Sequence, residues 1–199
     1  MKKPGHFVAL LLAVLCLSAV PAWARPTVVI DAGHGGHDRG GVPGDRYAEK
    51  VCTLDVARRL QARLRAEGFR TKMTRDSDYF VSLGGRCAVA NAQRNAIFVS
   101  IHFNSAPREG ANGIETYYYS RKSGSLAAAV HRSVVRATGT EDRRVRARGF
   151  YVIRNTRVPA ILVECGFLTN RSEGARIAGS AAYRQRLADA VAQGILSRY

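Results

Sequence analysis

Three apolar segments of the chain each end in a side chain that can bind a metal or transfer a proton. Residues 28–36 read VVIDAGHGG and present His34, residues 97–104 read IFVSIHFN and present His102, and residues 160–166 read AILVECG and present Glu164. A fourth such side chain, Glu49, opens the first predicted helix. Two histidines, one carboxylate and a spare carboxylate match the ligand chemistry of a catalytic zinc site with an open position. These residue types favour metal-assisted hydrolysis.

The elements that carry these side chains alternate between strands and helices. Apolar or alternating runs predict strands at residues 27–30, 69–74, 97–104, 113–119, 150–153 and 160–166. Apolar residues at helical spacing and capping signals predict helices at residues 49–67, 82–94, 125–137 and 181–196. This alternation favours a single α/β domain with a mainly parallel twisted sheet and helices on both faces. Ligands of such sheets bind outside the carboxyl ends of the strands, where these side chains would meet.

The first strand leads into a glycine-rich segment, DAGHGGHDRGG, which invites comparison with a phosphate-binding loop. The segment lacks the Gly-Lys-Ser/Thr ending of a nucleotide-binding loop, and its spacing differs from the dinucleotide-binding pattern. We therefore expect its glycines to free the backbone so that His34 can approach a metal closely.

The amino-terminal residues have the pattern of a secretory signal peptide. Two lysines precede an apolar stretch at residues 7–20, and an Ala-Trp-Ala sequence then supplies small residues for cleavage. A membrane anchor is the alternative, but the apolar run is short for crossing a bilayer. We expect removal of residues 1–24, export to the periplasm or the extracellular envelope, and one catalytic domain at residues 25–199.

Three cysteines remain after the expected cleavage, namely Cys52, Cys87 and Cys165. Because their number is odd, at least one thiol is free or pairs with another chain. Two lie in predicted helices and one in a predicted strand, so burial as small apolar residues is favoured over a structural disulfide.

The chain carries a formal net charge of +16, which favours anionic partners. Nucleic acid is disfavoured, because export removes access to the genome and the arginines do not form one stripe with interleaved aromatic residues. Anionic envelope polymers remain as partners, and a simple compositional bias toward arginine is the alternative. The densest basic cluster lies in a predicted loop that either meets substrate or is solvated, and it comprises Arg143, Arg144, Arg146 and Arg148.

Six strings occur in the order found in zinc-dependent N-acetylmuramoyl-L-alanine amidases of the type called Amidase_3. They are IDAGHGG, the Glu49-Lys50 pair, TRDSDYFVSL, ANAQRNAIFVSIHFNS, GIETYY and VPAILVECGFLTN. The chain resembles this family over residues 28–199. The resemblance implies hydrolysis of the amide between N-acetylmuramic acid and the L-alanine that begins the peptidoglycan stem peptide. It also implies that His34, Glu49 and His102 bind zinc and that Glu164 is the catalytic glutamate.

One segment departs from part of this family. Division-associated members carry a long insertion, including a helix that blocks the zinc, where this chain has only residues 120–149. The acidic residues of this segment, Glu141 and Asp142, follow its predicted helix and stand beside the arginine cluster. We therefore expect an open site.

Several side chains near the site have competing interpretations. His37 competes with His34 as a ligand but is expected at the rim of the site. Asp31 and Asp38 are expected to support the loop or the ligands. Asn104 is a candidate substrate-binding residue, and a loop-stabilising role for its amide is equally open.

The remaining candidates have structural interpretations as well. Glu49 could simply interact with the dipole of the helix that it opens, and Glu164 could form an ion pair with Arg154. Glu115 is expected at the surface or in a groove. His131 is expected on a helix face, uninvolved in catalysis.

Two other function classes fit part of the pattern. A zinc peptidase acting within the stem peptide would use a similar site, but only an amidase releases an intact stem peptide with a free L-alanine amine. A non-catalytic wall-binding or activator protein is disfavoured because all four site residues are present. The expected substrate is peptidoglycan or a soluble muropeptide, and the expected form is a monomer.

Overall fold

The computed structural model describes residues 25–41 and 46–199, so the expected signal peptide at residues 1–24 lies outside the described residues. The helices and strands of the described part are, in chain order, β1 (Thr27–Ala32), α1 (Glu49–Ala66), β2 (Thr71–Met73), α2 (Leu83–Asn91), β3 (Ala96–Asn104), β4 (Ile114–Tyr118), α3 (Gly124–Thr138), β5 (Asp142–Ala147), α4 (Tyr151–Arg154), β6 (Ala160–Phe167), α5 (Arg171–Gly179) and α6 (Ala181–Leu196).

The strands form one sheet in the order β2-β1-β3-β6-β4-β5. Strands β2, β1, β3 and β6 run parallel to one another, β4 pairs antiparallel with β6, and β5 runs parallel to β4. The sheet is therefore mixed but mostly parallel, which confirms the predicted α/β class. Because β4 and β5 run the opposite way, their amino-terminal ends lie at the edge where β1, β3 and β6 end.

Helices cover both faces of the sheet, which explains why β1 is buried along its whole length. On one face lie α1, α3 and α6, and α1 contributes Val56, Leu60 and Leu64 at four-residue spacing. On the other face lie the shorter helices α2 and α4. No helix within the described ranges is both long enough and apolar enough to be a membrane span.

Two predictions of local structure are wrong. The arginine-rich stretch predicted as a loop forms β5, because an edge strand needs few apolar residues and is protected by charged ones. Residues 150–153, predicted as a strand, lie largely in the single-turn helix α4, whose Val152 and Ile153 pack beneath the sheet. A short apolar run cannot be assigned to strand or helix by its periodicity.

Capping side chains fix the starts of two helices, of which α2 was predicted and α5 was not. Ser82 caps α2 by accepting a hydrogen bond from the amide of Gly85 at 3.1 Å. The sequence pattern does not predict α5, whose apolar periodicity is weak. Its start is fixed by the Asn170 side chain, which accepts hydrogen bonds from the amides of Ser172 and Glu173.

The three described cysteines are buried and unpaired, which confirms that they act as small apolar residues. Burial raises the pKa of the Cys52 thiol to about 11. These thiols therefore stay protonated at neutral pH and are poor nucleophiles.

Candidate functional site

The chain topology brings the four sequence-derived candidates together at one end of the sheet. His34 follows β1, His102 lies near the end of β3, and Glu164 lies on β6 directly opposite His102 in the strand register. Glu49 is the first residue of α1, which starts at the same edge. Since β1, β3 and β6 are neighbours in the order of the sheet, three adjacent strands supply three of these groups.

Two imidazoles flank one carboxylate at the centre of the site. His34 Nε2 lies 3.1 Å from Glu49 Oε2, and His102 Nδ1 lies 3.0 Å from Glu49 Oε1. One potential ligand atom from each of these residues falls within 4.8 Å of the other two. This is the donor set of a three-ligand catalytic zinc site, with two nitrogen ligands and one oxygen ligand.

Neighbouring groups orient these three side chains. The Asp38 carboxylate lies 2.9 Å from His34 Nδ1, which leaves Nε2 turned toward Glu49. The amides of Gly41 and Phe103 donate hydrogen bonds of 3.0 and 2.9 Å to the Glu49 carboxylate. A carboxylate behind a histidine ligand is a common arrangement at metal sites, because it fixes the ring orientation and raises the basicity of the ligand.

The electrostatics of the cluster suit a bound cation. Burial alone would raise the pKa of Glu49, but its hydrogen bonds to His102 and His34 hold that pKa far below its usual value. Burial alone would lower the pKa of His102, yet the hydrogen bond and charge of Glu49 raise it to about 9. The carboxylate thus favours positive charge on its neighbours, and a divalent metal would supply that charge in place of protons.

Glu164 has a different environment from Glu49. Burial raises its pKa to about 7, with further increases from the charges of Glu49 and Glu115 and an opposing effect from His102. Its Oε2 atom is buried and has no hydrogen-bond partner within the described residues. No ion pair with Arg154 is present in this part of the chain. A buried carboxylate with a free oxygen and a pKa near neutrality is suited to accept and return a proton.

The backbone beside the site is unusual at His34. This residue adopts φ of 60°, a left-handed conformation that is uncommon for a residue other than glycine. Two glycines permit close packing here. A Cβ on Gly33 would lie 2.4 Å from the His102 ring, and a Cβ on Gly40 would lie 2.6 Å from both Glu49 Oε2 and His34 Cδ2. The prediction that glycines allow a close approach at this loop therefore has a direct steric basis.

Two buried arginines, which the sequence analysis did not single out, hold the loop that carries His34. Arg75 donates to the carbonyl oxygens of Ala32 and Gly33 at 3.0 and 2.8 Å. Arg86 donates to the carbonyl oxygens of Ala32 and His34 at 2.6 and 2.7 Å. The sequence did contain a signal for Arg75. This residue, in the TRDSD string, directly follows the strand predicted at residues 69–74 and so had to lie at the edge of the sheet where His34 and His102 were expected.

Asp31 joins this arginine network below the site. Its carboxylate is fully buried, pairs with Arg86 at 2.8 Å and accepts hydrogen bonds from Thr74 and Ser100, both at 2.6 Å. Burial alone would raise the pKa of Asp31, but Arg86 and the two hydroxyl groups hold it below its usual value. Asp31 therefore supports the loop rather than facing the cluster of His34, Glu49 and His102.

Glu115 differs from its expected place at the surface or in a groove, because it is 6% exposed. Its Oε2 accepts hydrogen bonds from Asn104 Nδ2 at 2.8 Å and from the Tyr117 hydroxyl at 2.7 Å. The side-chain oxygen of Asn104, Oδ1, in turn accepts a hydrogen bond of 2.8 Å from the main-chain amide of Ser105. Both ends of the Asn104 amide are thus engaged within the protein, which favours the loop-stabilising role that the sequence left open.

The two other histidines considered above lie away from the cluster. His37 is exposed, and its ring packs against Phe80 with centroids 4.3 Å apart. His131 is buried between the Thr116 hydroxyl and the Asp142 carboxylate, at 3.1 and 2.9 Å. It links α3 to β4 and β5.

A cavity of about 280 Å³ opens beside the cluster. His34 and His102 line one side of it, and the opposite wall is apolar, formed by Phe80, Leu83, Tyr151 and others. Four of the exposed large apolar residues of the described chain are in this wall, namely Phe80, Leu83, Phe150 and Tyr151. An apolar pocket with a few converging polar groups is the usual form of a small-molecule site.

Comparison with known proteins gives one consistent family. Residues 28–197 match the family model described as N-acetylmuramoyl-L-alanine amidase. The chain is 36% identical over 177 residues to N-acetylmuramoyl-L-alanine amidase LytC of Bacillus subtilis, a match that covers 87% of this chain and 35% of LytC. It therefore corresponds to about a third of the length of that relative.

Solved structures agree with the sequence matches. The catalytic domain of CwlV, an N-acetylmuramoyl-L-alanine amidase from Bacillus (Paenibacillus) polymyxa var. colistinus, superposes with a TM-score of 0.82 at 37% identity, covering 86% of this chain and 97% of that domain. The N-acetylmuramoyl-L-alanine amidase AmiC2 of Nostoc punctiforme superposes with a TM-score of 0.81 at 40% identity, covering 86% and 96% of the two chains.

Proposed function

Because the chain belongs to the N-acetylmuramoyl-L-alanine amidase family, we propose that it hydrolyses the amide between N-acetylmuramic acid and L-alanine in peptidoglycan with zinc held by His34, Glu49 and His102. One observation carries this proposal. Ligand atoms of these three residues converge within 4.8 Å, next to the buried Glu164 Oε2, which has no hydrogen-bond partner in the described part of the chain.

The residues of the site have complementary tasks in this reaction. When bound, zinc supplies a Lewis acid that polarises the amide carbonyl and lowers the pKa of a water to about 7. His34 and His102 bind as neutral imidazoles, and Glu49 supplies one negative charge. Two neutral ligands and one carboxylate would leave a bound Zn²⁺ with a net charge of +1, which would favour an oxyanion at the amide carbonyl.

Glu164 moves the proton. Its Oε2 accepts a proton from the attacking water and later delivers it to the alanine nitrogen as the carbon–nitrogen bond breaks. This nitrogen must be protonated because an amide anion is a very poor leaving group. A pKa of about 7 places Glu164 between its base and acid forms near neutral pH, so it can perform both steps.

The setting of the enzyme is part of the proposal. The substrate lies outside the cytoplasmic membrane, so the proposal includes export through a signal peptide at residues 1–24 and activity of residues 25–199 in the envelope. The net charge of +16 supports attraction to anionic envelope polymers. We propose that the protein acts as a monomer, since one chain supplies every group named in the site.

Product analysis tests the proposed reaction. Purified peptidoglycan is digested with the zinc-loaded protein, and the products are identified by mass spectrometry and amine labelling. An amidase releases intact stem peptides with a free L-alanine amine. Cleavage within the stem peptide would instead identify a zinc peptidase, and binding to peptidoglycan without any cleavage would identify a non-catalytic wall-binding protein.

A further inference from the structure

A pair of arginines on β5 lies beside the site and is not used by the proposed reaction. Arg143 Nε and Arg146 Nε lie 3.5 and 3.9 Å from Glu115 Oε1. Glu115 is itself directly opposite Glu164 in the antiparallel register of β4 and β6. Arg143 and Arg146, called the arginine pair below, therefore stand one strand beyond Glu115 and two strands beyond the proposed proton carrier.

A bulge in β5 allows both members of the pair to reach the same carboxylate. In a regular strand, residues three apart point to opposite faces of the sheet. Between paired positions Ile114 and Thr116 on β4, the partner strand advances from Asp142 to Val145, which is one residue more. Arg144 sits in this bulge with φ of 82°. Bulges that hold strained backbone often re-aim side chains beside functional sites.

The two members of the arginine pair are not equally held by acidic neighbours. Arg143 approaches both Glu115 and the exposed Glu141 carboxylate, which lies 3.2 Å from its Nη1 atom. Among the residues that the structure describes, Arg146 has only Glu115 as an acidic neighbour, at 3.9 Å. Within the described residues, the buried Arg143 Nε has no hydrogen-bond partner of good geometry. The Arg146 side chain is 45% exposed, so its guanidinium can reach a ligand in solvent. Arginine binds carboxylates well because its planar donors match both oxygens.

The two sides of the site therefore differ in chemistry. On the α2 and α4 side, the cavity wall is apolar, with Phe80, Leu83 and Tyr151. On the β5 side, beyond Glu164, the arginine pair supplies positive charge. The Tyr117 side chain connects the two sides, because its ring packs against Phe150 with centroids 4.9 Å apart and its hydroxyl donates a hydrogen bond of 2.7 Å to Glu115 Oε2. A substrate with one apolar face and one anionic arm fits this arrangement in only one direction.

We propose that the peptide arm of the substrate lies toward β5, where Arg146, with Arg143 behind it, binds a carboxylate carried by the residue after the L-alanine. This inference rests on the proposed amidase function and adds an orientation and a charge preference to it. Arg143 approaches Glu115 more closely than Arg146 does, and the exposure and loose pairing of Arg146 are explained if it binds an anion.

Two soluble substrates test the proposal. The first is N-acetylmuramoyl-L-alanine extended by one glutamate, and the second is the same compound with both carboxylates amidated. They have nearly the same shape and differ in charge. Release of the free alanine amine gives kcat and KM for each. We expect the wild type to have a lower KM for the acidic compound, and this preference to weaken as salt is added.

Arg146→Gln is the central variant, because an exposed side chain can be replaced without disturbing the fold. We expect its KM for the acidic compound to rise about tenfold or more, which is typical for loss of a hydrogen bond to a charged group. Its kcat and its KM for the amidated compound should change little. Arg146→Lys, which keeps the charge but not the paired donors, should give an intermediate KM.

Arg148→Gln is the matched control. Arg148 is exposed and follows the end of β5 that lies away from Glu164. At that end, Tyr118 of β4 pairs with Ala147 and with Ile161, whereas Glu164 pairs with Glu115 near the other end of β4. It carries the same charge change, and we expect no change in either KM. Equal effects of Arg146→Gln on both compounds, no effect on either, or an equal effect of Arg148→Gln would each overturn the proposal.

Failure of the two proposals can be told apart. If the wild type cleaves neither compound, the amidase proposal fails. Calorimetry with the same compounds then still decides the present inference. Tighter binding of the acidic compound by the wild type, lost in Arg146→Gln, supports it, and equal binding of both compounds contradicts it.

Discussion

The Arg86 guanidinium donates a hydrogen bond of 2.7 Å to the main-chain carbonyl oxygen of His34 and pairs with the buried carboxylate of Asp31 at 2.8 Å. One side chain therefore connects the backbone of a proposed metal ligand to the interior of the sheet. Because His34 has a left-handed backbone conformation, its loop needs such external support.

Replacing Arg86 by methionine should destabilise the protein strongly. The substitution leaves the Asp31 charge buried without its partner, which costs about 3–5 kcal/mol in comparable cases. Urea unfolding at neutral pH measures the loss. The control is Arg132→Met on the exposed face of α3, which should change the free energy of unfolding by about 0.5 kcal/mol or less. Similar losses in both variants would contradict the role assigned to Arg86.

The Asp31–Arg86 pair also predicts a dependence of stability on pH. The folded state holds the pKa of Asp31 below its unfolded value, which is about 4. Such a group stabilises the fold above the unfolded pKa, and this stabilisation is lost as the pH falls through the folded pKa. We expect the free energy of unfolding of the wild type to fall below about pH 4. Asp31→Asn should show a smaller fall, and an equal fall would exclude Asp31 as the source.

A methyl group at Gly40 should disrupt the metal site. Its Cβ would lie 2.6 Å from Glu49 Oε2, in a backbone conformation with φ of +69°. We expect Gly40→Ala to lower zinc affinity by about 10- to 100-fold, as for other changes that displace a ligand. Gly68→Ala is the matched control, because Gly68 has φ of +80° but no atom within 4 Å of an added Cβ. Equal zinc affinity in the two variants would show that the steric argument is wrong.

The sequence predicted the strands that carry the site but not the side-chain contacts that support it. The apolar runs before His34, His102 and Glu164 were strong enough to predict three strands, and parallel strands end at one edge. Contacts of Arg86 could not be predicted, because they join residues 55 positions apart through the tertiary packing. The approach of Arg143 and Arg146 to Glu115 depends on a one-residue bulge in β5, and the sequence pattern of that strand indicated a loop.

Metal content tests the ligand set residue by residue. The wild type should hold about one zinc per chain, and both His34→Ala and His102→Ala should lose it together with activity, because two ligands rarely hold zinc at a catalytic site. His37→Ala, which removes an exposed histidine three residues from His34, should keep its zinc. Retention of full zinc by both ligand variants, measured by elemental analysis after dialysis, would exclude this site.

The segment at residues 120–149 predicts activity without an activating partner. Its two acidic residues are engaged elsewhere, since Asp142 lies 2.9 Å from His131 Nε2 and Glu141 lies 3.2 Å from Arg143 Nη1. Neither is placed to occupy the metal position as a blocking carboxylate. We expect the isolated chain to cleave a small soluble muropeptide. Cleavage that requires an added protein would contradict this expectation.

Zinc content and turnover of Glu164→Gln together test whether Glu164 transfers the proton while His34, Glu49 and His102 hold the metal. We expect this variant to fold, to retain about one zinc and to lose a factor of about 10² to 10⁴ in kcat, because it lacks the proton-transferring oxygen but none of the ligands. A variant that keeps wild-type turnover would contradict the assignment of proton transfer to Glu164, and one that loses its zinc would contradict the separation of ligands from proton carrier.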